Sequence, residues 1–287
     1  MIERHVCMIA RGVRRRQISA MRIASLLLAL PLAALPSLAL AASSQWFETE
    51  GARIRLLADD QPRADGTMRG TLSIELDPGW KTYWRDPGDS GVPPQIDISR
   101  STNIAAARIE FPAPMRFETD GASWAGYQGT TVDLPVTFNL KDPARFAAID
   151  ADVFLGVCRE VCIPVQAGFS VTPGAQGQAG EEANIIATAF ASLPPPSSDE
   201  MQITAFRPEG DDLIAEAVHP AGPGAQELYV VTPPGWQLGT PDPEKSGDRQ
   251  IFRIPVQKRG AISGSGLKLD YVYRSGFRVV SGSASVD

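Results

Sequence analysis

Short apolar–polar alternation governs almost everything after residue 50. The runs Arg53-Ile54-Arg55-Leu56, Gly70 to Leu76, Arg108-Ile109-Glu110-Phe111, Val132 to Leu140 and Asp152 to Val157 each place an apolar side chain at every second position. Successive side chains of a strand point to opposite faces, so a period of two buries one face and wets the other. Gly, Pro, Asp and Asn punctuate these runs. Nothing here reads as a bundle of helices; the pattern predicts an all-β chain built on an antiparallel β-sandwich.

The alternation stops between 172 and 200. Pro173 to Gly180 is rich in Gly, Gln and Ala and reads as a flexible turn. Glu181 to Ala191 then has the composition of a helix of about three turns, with Glu181 and Glu182 at the N-terminus where the helix dipole favours negative charge. Pro194-Pro195-Pro196 ends it in a stiff extended segment. Strand-like runs resume at Met201 to Phe206, Asp212 to Val218, Glu227 to Val231, Gln250 to Pro255, Gly266 to Tyr273 and Phe277 to Val280. The expected organisation is a sandwich over 42–172, a linker with a short helix over 173–199, and a second, smaller β-domain over 200–287, in which no chemistry stands out.

The first 41 residues are expected to leave the fold. Arg11, Arg14-Arg15-Arg16 and Arg22 precede an apolar run from Ile23 to Leu40, and Ala39-Leu40-Ala41 supplies small residues for cleavage after Ala41. That signal peptide predicts export. The whole chain has 27 Lys+Arg and 33 Asp+Glu; the leader holds six Arg and one Glu, so the remainder carries 21 against 32, a net of −11. Such acidity argues against nucleic acid or an anionic membrane surface as a partner.

Of three cysteines, Cys7 goes with the leader, leaving Cys158 and Cys162. An exported fold held by staples would normally carry more bridges. In a straight strand residues four apart lie roughly 13 Å apart, whereas a disulfide needs Cα atoms within about 7 Å. The sulfurs can meet only if Arg159-Glu160-Val161 reverses the chain. Closing so short a loop stabilises by about 2 kcal/mol. Arg159 favours a thiolate on Cys158 and Glu160 opposes it. Redox exchange and a plain structural bridge both stay open on these residues. Metal binding fares worse: two thiols with no histidine nearby are a poor zinc set, and His219, the one histidine after the leader, lies in the other domain. Nucleophilic hydrolysis has the same single histidine to draw on. No cofactor and no metal is expected.

The most unusual stretch is Asp77 to Pro94, where Trp80, Tyr83 and Trp84 lead into a loop of Gly, Pro and Asp; Phe117, Trp124 and Tyr127 follow. Trp80 and Trp84 read as core residues on one face of a strand. Tyr83, Phe117, Trp124 and Tyr127 are the candidates to line or cover the cysteine pair, since a reactive thiol gains from a cover that opens only to its partner.

Pro78-Gly79-Trp80-Lys81-Thr82-Tyr83-Trp84-Arg85 with Pro87 to Gly91, Phe111 to Phe117, Gly126-Tyr127, Leu134-Pro135-Val136 and Cys158 to Pro164 together resemble the periplasmic N-terminal domain of the DsbD/ScsB-type protein-disulfide reductases, over about residues 45–172. The resemblance implies an immunoglobulin-like sandwich whose catalytic atoms are the sulfurs of Cys158 and Cys162, with Cys162 favoured as nucleophile. It implies electrons taken from a membrane-embedded thiol reductase and passed to periplasmic thioredoxin-like or disulfide-isomerase-like proteins, in bridge repair, cytochrome c maturation or copper tolerance. The three-residue spacing between the cysteines looks like the ScsB-type branch, and the cap loop of better-known members has no clear counterpart in Glu118-Thr119-Asp120-Gly121. No apolar run of spanning length follows residue 41, so the donor is expected to act in trans. The competing reading is a non-catalytic envelope binding or scaffold sandwich with a structural disulfide.

Overall fold

The computed structural model describes residues 40–287 apart from 89–90, 120–121, 175–177, 220–222, 247–248 and 261–265. The expected leader up to residue 39 therefore lies outside the described residues. At its edge, Ala42 and Ser43 pair with Ala58 and Leu57, a pairing that cleavage after Ala41 leaves in place.

Two antiparallel sheets form the first sandwich. One runs Gln178–Ala179, Leu40–Ser43, Ala52–Asp59, Thr67–Leu76, Thr131–Leu140, Ile104–Ile109, with Phe47–Thr49 paired to Ala52–Asp59. Its alternating residues Ile54, Leu56, Leu72, Ile74, Leu134, Val136 and Phe138 are all buried. Each such aliphatic side chain contributes about 1.5–3 kcal/mol by leaving water. Gly70 lets the strands approach: a Cβ there would stand 2.4 Å from the Leu57 carbonyl oxygen and 2.8 Å from the Phe138 ring.

The facing sheet runs Cys162–Val171, Ile149–Cys158, Lys81–Gly88, Ala122–Gln128, Met115–Thr119, with Gln95–Asp97 added on Ile149–Cys158. Ile149, Ala151, Val153, Leu155 and Val157 point inward, joined by Val165, Ala167, Phe169, Trp80 and Trp84 in the core between the sheets. The outward residues of Ile149–Cys158 are partly or well exposed until the last three positions, where Gly156, Val157 and Cys158 are all buried. Something covers the outer face of the sheet there.

The helix Glu181–Ala191 begins and ends where the sequence predicts and lays Ala183 and Ile186 against Leu57 of the first sheet. Gln178–Ala179, in the expected linker, pairs with Leu40 and Ala41, a pairing that cleavage after Ala41 removes. Beyond it a five-stranded sheet (Gln202–Glu209, Asp212–Val218, Arg249–Lys258, Gln237–Leu238, with Asp242–Ser246) and a three-stranded one (Gln226–Val230, Lys268–Ser275, Arg278–Ser285) enclose Phe206, Leu213, Phe252, Ile254, Tyr271 and Tyr273. This second β-rich sandwich is not detached. Tyr229 and Val272 belong to the core of the first, and residues 38–287 form one compact unit.

Candidate functional site

Ile149–Cys158 and Cys162–Val171 are a hairpin whose loop is Arg159-Glu160-Val161, closed by the Arg159 N–H donating to the Val161 carbonyl at 3.3 Å. Cys158 and Cys162 are directly opposed in register, with Cα atoms 4.1 Å apart and the sulfurs joined. The two residues differ sharply in environment. Cys158 is only 4% exposed, whereas Cys162 is exposed, as are Arg159, Glu160 and Val161 before it. The pair sits at the end of the sheet on its outer face. Arg159 leans over the preceding turn, its Nε 3.9 Å from where a Cβ on Gly79 would be.

The cover on that face comes from parity along Lys81–Gly88. Val157 pairs with Thr82 and Cys158 with Lys81. Trp84 turns inward, 1% exposed, so Tyr83 turns outward and lies across Gly156. A Cβ on Gly156 would stand 2.8 Å from the Tyr83 ring, and one on Gly91 would stand 2.6 Å from its other part. Glycine on both sides makes the slot in which this ring fits. The Tyr83 hydroxyl thereby reaches both sulfurs, 2.7 Å from Cys158 Sγ and 2.8 Å from Cys162 Sγ. Disulfide sulfurs carry no hydrogen, so the phenol is the donor. Burial pushes the Tyr83 pKa above its ordinary value of 10.0, which keeps that hydrogen in place at neutral pH.

Trp124 tilts against Tyr83 with ring centroids 4.9 Å apart, and Phe117, its cross-strand partner, stacks on Trp124 at 4.6 Å. Tyr83, Trp124 and Cys158 form one buried cluster with Phe117 packed on it. Gly126 leaves room beside Trp124, since a Cβ there would stand 2.7 Å from that ring. The Lys81 ammonium lies 4.9 Å from the Phe117 ring centre and 5.6 Å from that of Trp124. A cation over ring faces is attracted by their negative quadrupole.

Of the four aromatic candidates, then, Tyr83 and Trp124 share one buried cluster with Cys158, and Phe117 packs on that cluster. Tyr127 does not: its side chain lies in the core between the sheets and its hydroxyl donates to the Pro112 carbonyl at 2.8 Å. The reason is parity, because Tyr127 stands three residues beyond Trp124 on one strand and so faces the other way. Lys81, Gly91, Gly126 and Gly156 were not singled out from sequence. Lys81 could have been found from the same alternation that sends Tyr83 outward. Asp120 and Gly121, considered for a cap loop, lie outside the described residues.

Residues 53–173 match the family model described as the N-terminal region of thiol:disulfide interchange protein DsbD. No curated protein sequence matches the chain. Among solved structures, the N-terminal periplasmic domain of ScsB from Proteus mirabilis is similar with a TM-score of 0.71, at 22% identity, over 85% of this chain and 98% of that one. At this identity the likeness establishes a shared fold. Its extent carries it through both sandwiches.

Proposed function

We propose that this chain, whose residues 53–173 form a domain homologous to the DsbD/ScsB-type thiol–disulfide domains, is an exported periplasmic thiol–disulfide exchange protein working through Cys158 and Cys162. The observation that carries this reading is the asymmetry of the pair. Cys162 is open to another molecule's sulfur, Cys158 is sheltered beneath aromatic rings, and one phenolic O–H reaches both sulfurs.

In the reduced form the Cys162 thiolate attacks one sulfur of a partner disulfide. An S–S bond forms between Cys162 and the partner, and the partner's other sulfur leaves as a thiolate. The Cys158 thiolate then attacks Cys162 Sγ, closes the 158–162 bridge and releases the partner's second thiolate. Two electrons pass to the partner, which takes up two protons, and this chain is left oxidised. A dithiol donor restores it by the same steps in reverse. Tyr83 serves whichever sulfur carries negative charge, since a donated hydrogen bond stabilises a thiolate. Neither a metal nor a cofactor enters these steps. The donor in this reading is a membrane-embedded thiol reductase, and the acceptors are periplasmic thioredoxin-like or isomerase-like proteins.

A bridge kept only for stability gives a different expectation. It closes a loop of three residues, worth about 2 kcal/mol, and has no use for an exposed sulfur-bearing residue. Trapping separates the two. Cys158→Ala leaves Cys162 unable to be displaced and should accumulate mixed disulfides with envelope proteins on a non-reducing gel. Cys162→Ala, with only the sheltered thiol, should accumulate far fewer. Equal absence of adducts from both variants would refute exchange.

A further inference from the structure

The Met115–Thr119 strand carries Phe117 on one face and, by alternation, Arg116 on the other. Phe117 covers the cysteine cluster. Arg116 reaches the second sandwich: its guanidinium lies over the Tyr229 ring at 4.7 Å and donates to the Leu228 carbonyl at 3.0 Å. Arg274, also from the second sandwich, donates to the Pro114 carbonyl just before the strand at 3.1 Å. The segment beside Tyr83 is held in the same way, for the Thr232 N–H donates to the Asp86 carboxylate. Asp86, Arg116, Ser123, Tyr229 and Thr232 line one small cavity between the two sandwiches.

We infer that the C-terminal sandwich is the holder of the aromatic cover: it fixes Phe117 over Cys158, with Arg116 as the positioning residue through which it acts. This deepens the exchange reading and rests on it for its purpose, because a cover of set stiffness decides when the second sulfur becomes reachable. Arg116 touches neither sulfur. Its contacts in the other sandwich are the Leu228 carbonyl and the Tyr229 ring, beside one bond to the Ser123 hydroxyl on the neighbouring strand at 3.4 Å, so residues 200–287 gain a role that needs no chemistry of their own.

The test reads the sheltered thiol alone. In the full chain carrying Cys7→Ser and Cys162→Ala, Cys158 is the one thiol left, and its alkylation by iodoacetamide is followed at fixed pH. Arg116→Met gives up a charged hydrogen bond and a cation–π contact, and should speed alkylation about tenfold. Phe117→Ala should speed it at least as much. If Arg116 acts through Phe117, the double variant is no faster than Phe117→Ala alone. Rates that multiply, or an Arg116→Met rate equal to that of the parent, overturn the inference. Should Arg116→Met fail to fold, as judged by near-ultraviolet circular dichroism, Tyr229→Leu removes the ring from the opposite side and carries the same expectation. These rates involve only a small reagent. A wild-type chain that exchanges with no thiol protein would therefore refute the exchange reading, while the dependence of Cys158 reactivity on Arg116 is decided separately.

Discussion

Replacing Tyr83 by Phe removes one hydrogen bond and keeps the ring that fills the slot between Gly91 and Gly156. In the oxidised form the loss is small, because a neutral disulfide sulfur is a weak acceptor. On reduction it grows, because the acceptor at 2.7–2.8 Å becomes a thiolate. Hydrogen bonds to charged groups contribute about 1.5–3 kcal/mol. One pKa unit corresponds to about 1.36 kcal/mol, so the reactive thiol of Tyr83→Phe should titrate about 1–2 units higher than in the wild type. The sign follows from which form loses its partner: the donor stabilises the thiolate, so removing it raises the thiol pKa. Because reduced protein with a stabilised thiolate is favoured, the same substitution should move the pair to a lower, more reducing potential at neutral pH. The assay is thiolate absorbance near 240 nm between pH 5 and 10, checked by alkylation rate. A midpoint that does not move on Tyr83→Phe would refute the argument that this phenol serves the sulfurs.

Three further outcomes follow from the geometry. Gly156→Ala puts a Cβ 2.8 Å from the Tyr83 ring and 3.1 Å from Val92 Cβ; the forced shift should cost about 1–3 kcal/mol in urea denaturation and lift the thiol pKa as Tyr83→Phe does. Phe138→Ala empties a fully buried site between the sheets and should cost about 3–5 kcal/mol while leaving the thiol titration unchanged. Burial holds the Asp133 carboxyl above its ordinary value of 3.8, with the hydrogen bond from Ser73 opposing. A carboxyl raised in the folded state takes stability away as pH rises from 3.8 through the folded value. Asp133→Asn should therefore gain in melting temperature relative to the wild type between pH 3.5 and pH 7, and a constant difference would contradict this.

Much of the fold was legible because strands with one buried face write their period into the sequence. Val132 to Leu140 carries the period of a strand and lies in Thr131–Leu140. The reversal at Arg159-Glu160-Val161 followed from the reach of a disulfide alone. The helix ends were legible because Glu181 and Glu182 mark one and the triple proline lies beyond the other. The face of Tyr127 was not legible because Ala122–Gln128 lacks the clean apolar–polar alternation that marks the other strands, so nothing in the sequence set Tyr127 on the face opposite Trp124. Asp242–Ser246 was missed for a similar reason, since Asp242-Pro243-Glu244-Lys245-Ser246 has no apolar alternation. The bond between the two sandwiches was illegible on any pattern. Arg116 and Arg274 reach backbone carbonyls 112 and 160 residues away, and such partners leave no mark on the residue types around them.

The central claim is that the 158–162 bridge opens and closes in use. Equilibrating the protein in glutathione or dithiothreitol redox buffers and quantifying free Cys158 and Cys162 by mass after alkylation gives the pair's reduction potential. The account predicts a value above about −300 mV, in reach of thioredoxin-like partners near −270 mV and isomerase-like ones near −180 mV. A value well below about −300 mV would mark a bridge that cellular dithiols leave closed, and would contradict it.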